Sequence, residues 1–224
     1  MKKTILIINY ITLVINIALA ISYATYGGLF LKAMTSFSFV FTGILNMICV
    51  KVYNITKVNV AFIMLIGMFF GMCGDVFINL EFIPGAVVFA FGHVFYFVAY
   101  NKVDRMCKKD FIGAMVLAFV TAAFLFLTPI FDFGGIVFSV VIFVYCIIIS
   151  MMTSKAVMNF KRNDSVSNKF WAIGSIMFFF SDIMLVLDLF ADTPKITIFL
   201  CLLTYFPAQW VLAHGVYKLS VENE

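Results

Sequence analysis

Eight apolar runs, each long enough to cross a lipid bilayer, follow one another along the chain with only short polar connections between them. A transmembrane helix takes roughly 20 residues, so eight of them occupy about 160 of the 224 and leave about 64 for every loop and tail. The composition agrees, with 64% hydrophobic residues, 12% charged residues and a mean hydropathy of +1.12. Soluble domains carry about 25% charged residues, so a water-exposed surface cannot be built from this chain. The sequence therefore describes an all-α integral membrane protein, a bundle of eight transmembrane helices with no room for a soluble domain.

The runs predict spans near Ile5–Tyr26, Phe30–Val50, Val58–Leu80, Phe82–Tyr100, Phe111–Thr128, Gly134–Thr153, Phe170–Phe190 and Ile196–Tyr217, all within one transmembrane helical domain over residues 1–224. Lys2 and Lys3 followed by an apolar run and Ala18-Leu19-Ala20 have the outline of a cleavable signal peptide. The apolar run continues past that point and contains Asn9 and Asn16, which favours a retained helix. Thirteen of the fifteen Lys and Arg residues fall in alternate connections and tails, and only Lys32 and Lys195 fall on the other side. The positive-inside rule then places both termini in the cytoplasm of a cell-membrane protein.

The net charge of +4 comes from these short loop clusters, a distribution that excludes a nucleic-acid surface. Cys49, Cys73, Cys146 and Cys201 lie in apolar stretches, Cys107 lies in a basic loop, and no C-x-x-C pair exists. Neither a disulfide framework nor a zinc site is indicated, and no cofactor is called for.

Chemistry is left to the polar residues inside the spans, where an ionisable group costs about 2.5–3.5 kcal/mol and normally faces the bundle interior or a water-filled cavity. In the third span Gly67, Gly71, Gly74 and Ile78 form one stripe with Asp75 beside it. Small residues at that spacing admit a neighbouring helix closely. The fourth span carries Gly85, Phe89, Gly92, His93 and Tyr96 on one face, and the third is its expected partner. His93 is either a neutral histidine bonded to a backbone carbonyl or a proton-handling group. The seventh span shows Gly174, Ser175, Phe178, Ser181 and Asp182 on one face. At 1.5 Å per residue, Asp75 lies about 9 Å and Asp182 about 3 Å to the outer side of mid-membrane. The eighth span has Tyr205 and Gln209 one turn apart, and Pro207 between them cannot donate to the carbonyl of Leu203.

Two carboxyl groups at similar depth are the strongest feature. If they face each other, like charge and burial leave one protonated, which puts a general acid beside a general base. The bland alternative is a pair of neutral carboxyls hydrogen-bonded for packing. An internal echo treats them as equivalent. Gly67 precedes Asp75 by eight residues, Gly174 precedes Asp182 by eight, and the aspartates stand 107 positions apart in the 224-residue chain. A parallel repeat of four helices plus four would place them symmetrically.

These motifs resemble the YhhN family of eight-helix membrane proteins, whose characterised members are lysoplasmalogenases. The resemblance runs from about Lys32 to the eighth span. It is carried by Gly74-Asp75, by Phe82-x-x-Gly85-x-x-x-Phe89-x-x-x-His93-x-x-Tyr96, by Phe179-x-Ser181-Asp182 after Gly174-Ser175, and by Tyr205-x-x-x-Gln209. The departure is at Lys32-Ala33, where the family tends to have Lys-Pro. The resemblance implies hydrolysis of the vinyl ether bond of a lysophospholipid substrate taken from membrane lipid. The products are a fatty aldehyde and a glycerophospho-alcohol. Such a bond breaks when its β carbon is protonated and water captures the oxocarbenium ion, which requires a positioned acid and a nearby anion. One of Asp75 and Asp182 would be the acid and the other the anion, with the assignment open. His93, Tyr96, Tyr205 and Gln209 would hold water and the glycerol hydroxyls, and Lys32 would meet the phosphate. No G-x-S-x-G is present for an ester hydrolase of the α/β type.

Three other readings compete. An intramembrane aspartyl protease also uses two helix-borne aspartates, but its G-x-G-D is Gly71-Met72-Cys73-Gly74-Asp75 here, one residue longer. A small lipid or solute carrier could relay protons through the same pair. A metal hydrolase needs several histidines, and only His93 and His214 exist. The sequence leaves the headgroup and the oligomeric state open.

Overall fold

The computed structural model describes residues 2–222, which form eight helices: α1 (Lys2–Tyr26), α2 (Leu29–Tyr53), α3 (Val58–Ile78), α4 (Phe82–Val103), α5 (Lys108–Leu127), α6 (Ile136–Arg162), α7 (Val166–Phe190) and α8 (Ile196–Val221). A 3-10 turn over Ile55–Lys57 joins α2 to α3. All eight helices are long and apolar enough to span a bilayer, so the chain is a multi-pass membrane protein. Backbone polar groups have no water partner in lipid, and helices satisfy them within each segment. The sharp reversal between α1 and α2 is made by Gly27 and Gly28 at φ 69° and 95°, a region that side chains with a Cβ avoid.

Several helices run past the apolar spans. The sixth was expected to end at Thr153 and continues to Arg162. Its polar extension is held because Lys155 donates to Asp110 Oδ2 (2.9 Å) and Arg162 pairs with both Asp110 and Asp104 (2.5 Å to Asp104 Oδ2). Charges that a hydropathy reading treats as a helix end are here neutralised by Asp104 after α4 and by Asp110 in the first turn of α5. Similarly, α7 begins at Val166 rather than Phe170, because the Ser165 hydroxyl accepts the Asn168 backbone N–H and caps it. The eighth helix is continuous through Pro207.

Helices α2 and α8 are the most enclosed, and α1 and α5 are the most exposed. Most neighbour relations repeat with an offset of four helices, the packing of α1 on α8 being the main exception. As α1 packs on α2, α2 on α3 and α3 on α4, so α5 packs on α6, α6 on α7 and α7 on α8, while α2 meets α8 as α6 meets α4. Helices four apart run in the same direction, which is the arrangement of a parallel repeat. The first helix is tied into the bundle by its asparagines, since Asn9 and Asn46 exchange amide hydrogen bonds (2.8 and 2.9 Å) and Asn16 donates to Ser38 (2.8 Å).

The two tightest pairs are α3 with α4 and α7 with α8, and small residues make both possible. A Cβ on Gly74 would stand 2.7 Å from the Phe89 ring, and one on Gly174 would stand 2.6 Å from Leu212. At Gly85 the obstacle is backbone, with Ile78 Cα and N both 2.5 Å from the added carbon, and no rotamer change relieves it. Gly85→Ala should therefore destabilise the bundle by about 1–3 kcal/mol through overpacking. Thermal unfolding in detergent is expected to show a lower midpoint for Gly85→Ala and an unchanged one for Val14→Ala, whose side chain is exposed on α1.

Candidate functional site

The helix repeat brings Asp75 on α3 and Asp182 on α7 to the same cavity, about 340 Å³ in volume, at the end of the bundle opposite the termini. Gly27, Asn79 and Leu189 line its outer part, and Asp75, Asp182 and Tyr205 line its inner part. Most of the remaining wall is apolar, including Phe82, Phe89 and Leu202.

The two aspartates have unlike surroundings. Asp75 is 1% exposed and faces donors. Its Oδ2 accepts from the Tyr205 hydroxyl (2.7 Å) and lies 2.5 Å from Ser36 Oγ, which is also 2.9 Å from the Lys32 carbonyl, and Lys32 Nζ stands 3.8 Å from Oδ1. Lys32 also donates to Asn79 Oδ1 at 3.1 Å. A tyrosine hydroxyl that donates and an ammonium group nearby are the surroundings of a carboxylate, which can only accept. Behind Tyr205 the bonding continues in one direction. Gln209 Nε2 donates to the Tyr205 hydroxyl (3.4 Å), and Gln209 Oε1 accepts from the Tyr96 hydroxyl (2.6 Å). Each member thus orients the next toward Asp75.

Asp182 has a more open carboxyl, its side chain 14% exposed. Its Oδ2 accepts from the Tyr145 hydroxyl (2.7 Å), and His93 Nε2 lies 2.7 Å from the same hydroxyl and 3.4 Å from Oδ2. Because the Tyr145 proton goes to Asp182, the Nε2–H of His93 donates to the Tyr145 oxygen. His93 Nδ1 is buried without a partner, so the histidine is not bonded to a backbone carbonyl. Asp182 Oδ1 has only the distant Ser181 hydroxyl, at 3.5 Å, and that group already donates to the Phe178 carbonyl (2.7 Å). One oxygen of Asp182 is thereby left for the cavity.

Of the residues singled out in the sequence, Asp75, Asp182, Tyr205 and Lys32 line the cavity. His93, Tyr96 and Gln209 stand behind that lining and reach it through Tyr145 and Tyr205. Lys32 sits beside Asp75 as well as near the cavity mouth, because the first turn of α2 packs against the end of α3. Among the described residues no group of three His, Cys, Asp or Glu side chains could hold a metal ion.

A family model described as the YhhN family matches residues 35–216 of the chain. The chain belongs to the YhhN family. Comparisons with curated proteins and with solved structures found no match. The YhhN match contains both aspartates, His93, Tyr96, Tyr205 and Gln209, whereas Lys32 lies just before it.

Sequence reasoning missed Ser36, Asn79 and Tyr145. Ser36 was legible in principle, standing one turn after Lys32 on the same face of α2. Tyr145 interrupts an otherwise apolar stretch of α6, but nothing in that stretch says which side of the helix it faces.

The charge balance at Asp75 gives a direct test. Lys32→Met removes the ammonium and should cost about 3–5 kcal/mol, the range for removing one partner of a buried ion pair. Lys32→Met combined with Asp75→Asn should recover much of that loss. Thermal unfolding of the wild type, both single variants and the double variant in detergent measures the coupling, and additive effects would mean that no pair exists.

Proposed function

We propose that this YhhN-family protein is a membrane-embedded hydrolase that cleaves the vinyl ether bond of lysoplasmalogens, releasing a fatty aldehyde and a glycerophospho-alcohol. The observation that carries the reading is that two carboxyl groups with opposed surroundings line one cavity, Asp75 among donors and Asp182 with an unoccupied oxygen. Family membership supports the same class of chemistry.

In this mechanism Asp182 Oδ1 carries the proton and delivers it to the β carbon of the vinyl ether. The double bond shifts to the ether oxygen, giving an oxocarbenium ion that the Asp75 carboxylate stabilises across the cavity. Water adds to the cationic carbon and returns a proton to Asp182, which restores the acid. The resulting hemiacetal loses its hydroxyl proton as the glycerol oxygen gains one, and aldehyde and alcohol separate. One water is consumed and no covalent enzyme intermediate is needed. Tyr205 fixes the Asp75 carboxylate, with Gln209 and Tyr96 holding Tyr205 in place. His93 is a positioning residue that acts on Asp182 through Tyr145. Lys32, beside Asp75 and in the cavity lining, meets the substrate phosphate.

The loop cations support an orientation with both termini on the cytoplasmic side of the cell membrane. The cavity then faces the outer leaflet, from which the lysophospholipid is drawn.

Detergent-purified protein incubated with lysoplasmenylethanolamine should release aldehyde, measured by mass spectrometry, and should release no fatty acid from the ester-linked lyso analogue. Asp75→Asn and Asp182→Asn keep the side-chain shape and should each lower kcat/KM by about 100-fold or more, the usual scale for a lost acid or base. Near-normal turnover by either variant, or fatty acid from the ester substrate, overturns the mechanism. Movement of lysolipid across vesicles without product would favour a carrier, and cleavage of a transmembrane peptide would favour a protease.

A further inference from the structure

A second cavity, about 300 Å³, lies between α4 and α6 on the lipid-facing side of the bundle. It shares Ala86, Val141 and Tyr145 with the cavity that holds the aspartates. Its remaining lining is apolar, and Val87, Phe91, Val140 and Val144 at its edge are exposed to the position that lipid occupies. The gap exists because α4 presents Ala86 and Ala90, one turn apart, to a face of α6 built from valines. Two short side chains leave an opening where leucine or phenylalanine would have closed the seam.

We infer that the α4–α6 groove is the subsite for the hydrocarbon chain of a single-chain lipid, with the polar end of the molecule in the aspartate cavity and Tyr145 at the junction. This rests on the proposed function for the chemistry, and it adds where the chain lies and by which route it arrives. The two cavities adjoin at three shared residues and differ in polarity. The aspartate cavity carries charged and hydroxyl groups that suit a glycerophosphate end, and the adjoining groove offers only hydrocarbon and opens sideways to the bilayer. A lipid bound across the junction keeps its chain in an apolar medium throughout and brings only its first carbons to Asp182. Tyr145 turns its hydroxyl to Asp182 and also lines the groove, so the reacting carbons next to the ether oxygen would sit at the boundary between the two spaces.

The test fills the groove from either side with Ala90→Trp on α4 and, separately, Val144→Trp on α6, with Val14→Trp on the exposed face of α1 as the control. Turnover is compared for vinyl ether lysolipids with chains of 16 and 8 carbons. Each added methylene in an apolar site is worth about a fourfold change in affinity. Blocking several of them should lower kcat/KM for the long substrate by about tenfold or more and leave the short substrate within about threefold. Ala90→Trp and Val144→Trp should agree, and Val14→Trp should match the wild type. Equal losses on both chain lengths, or no loss on either, in protein that remains folded by thermal unfolding, overturn the subsite. A second readout is independent of catalysis. A non-cleavable alkyl-ether lysophospholipid with a diazirine at the end of its chain is photolysed with the wild type, and the labelled peptides are mapped. Label on α4 and α6 that unlabelled ether lysolipid displaces supports the subsite even if the wild type turns over no vinyl ether, which would sink the proposed chemistry alone. Label confined to other helices overturns the subsite and leaves that chemistry standing.

Discussion

Asp75 sits in the middle of the most enclosed part of a lipid-soluble bundle, and such a carboxyl group is tolerable only when protein donors replace water. Those donors come from two helices that are distant in sequence, Lys32 from α2 and Tyr205 from α8. The need to surround one acid therefore fixes how α2, α3 and α8 stand relative to one another. The same requirement recurs at Asp182, which is met by α6 through Tyr145 and approached by α4 through His93. In the four-helix offset that relates the two halves, α2 corresponds to α6 and α8 to α4. Each aspartate is thus served by the helix before its own and by a helix from the other half.

The equivalence of the halves is incomplete, and the proposed chemistry depends on the difference. One acid has an ammonium and two hydroxyls, and the other has a tyrosine relay to a histidine and a free oxygen. A symmetric pair would share one proton without favouring either acid, whereas unlike surroundings bias the proton to one side. The lateral groove shares Ala86, Val141 and Tyr145 with the cavity, and of these Tyr145 is bonded to Asp182. The proposed proton delivery and the proposed chain subsite therefore meet at Tyr145.

Close approach of α3 to α4 and of α7 to α8 is the mechanical basis of the site. Lipid offers no hydrophobic drive for helices to associate, so contact area and hydrogen bonds must do it. Gly85 against the backbone of Ile78 and Gly74 against Phe89 bring α4 near enough for Phe89, next to Tyr205 and Phe178 at ring separations of 5.8 and 6.5 Å, to form the aromatic floor between the aspartates.

The sequence by itself determined the eight-helix membrane fold, because apolar length against bilayer thickness is a property of the chain that no packing alters. It also picked out both aspartates, His93, Tyr205 and Gln209, since a polar group among apolar neighbours stands out wherever it points. Helix ends were less legible. The end of α6 depends on Lys155 and Arg162 meeting Asp110 and Asp104, and those pairings are formed across 45 to 58 residues of chain. Only the tertiary structure decided that Lys32 lies against Asp75, that Tyr96 and Gln209 stand behind the cavity, and that Tyr145 joins it. Rotation of each helix about its axis sets these facts. In lipid nearly every face of a helix is apolar, and the periodicity that reveals rotation in a water-soluble helix is weak.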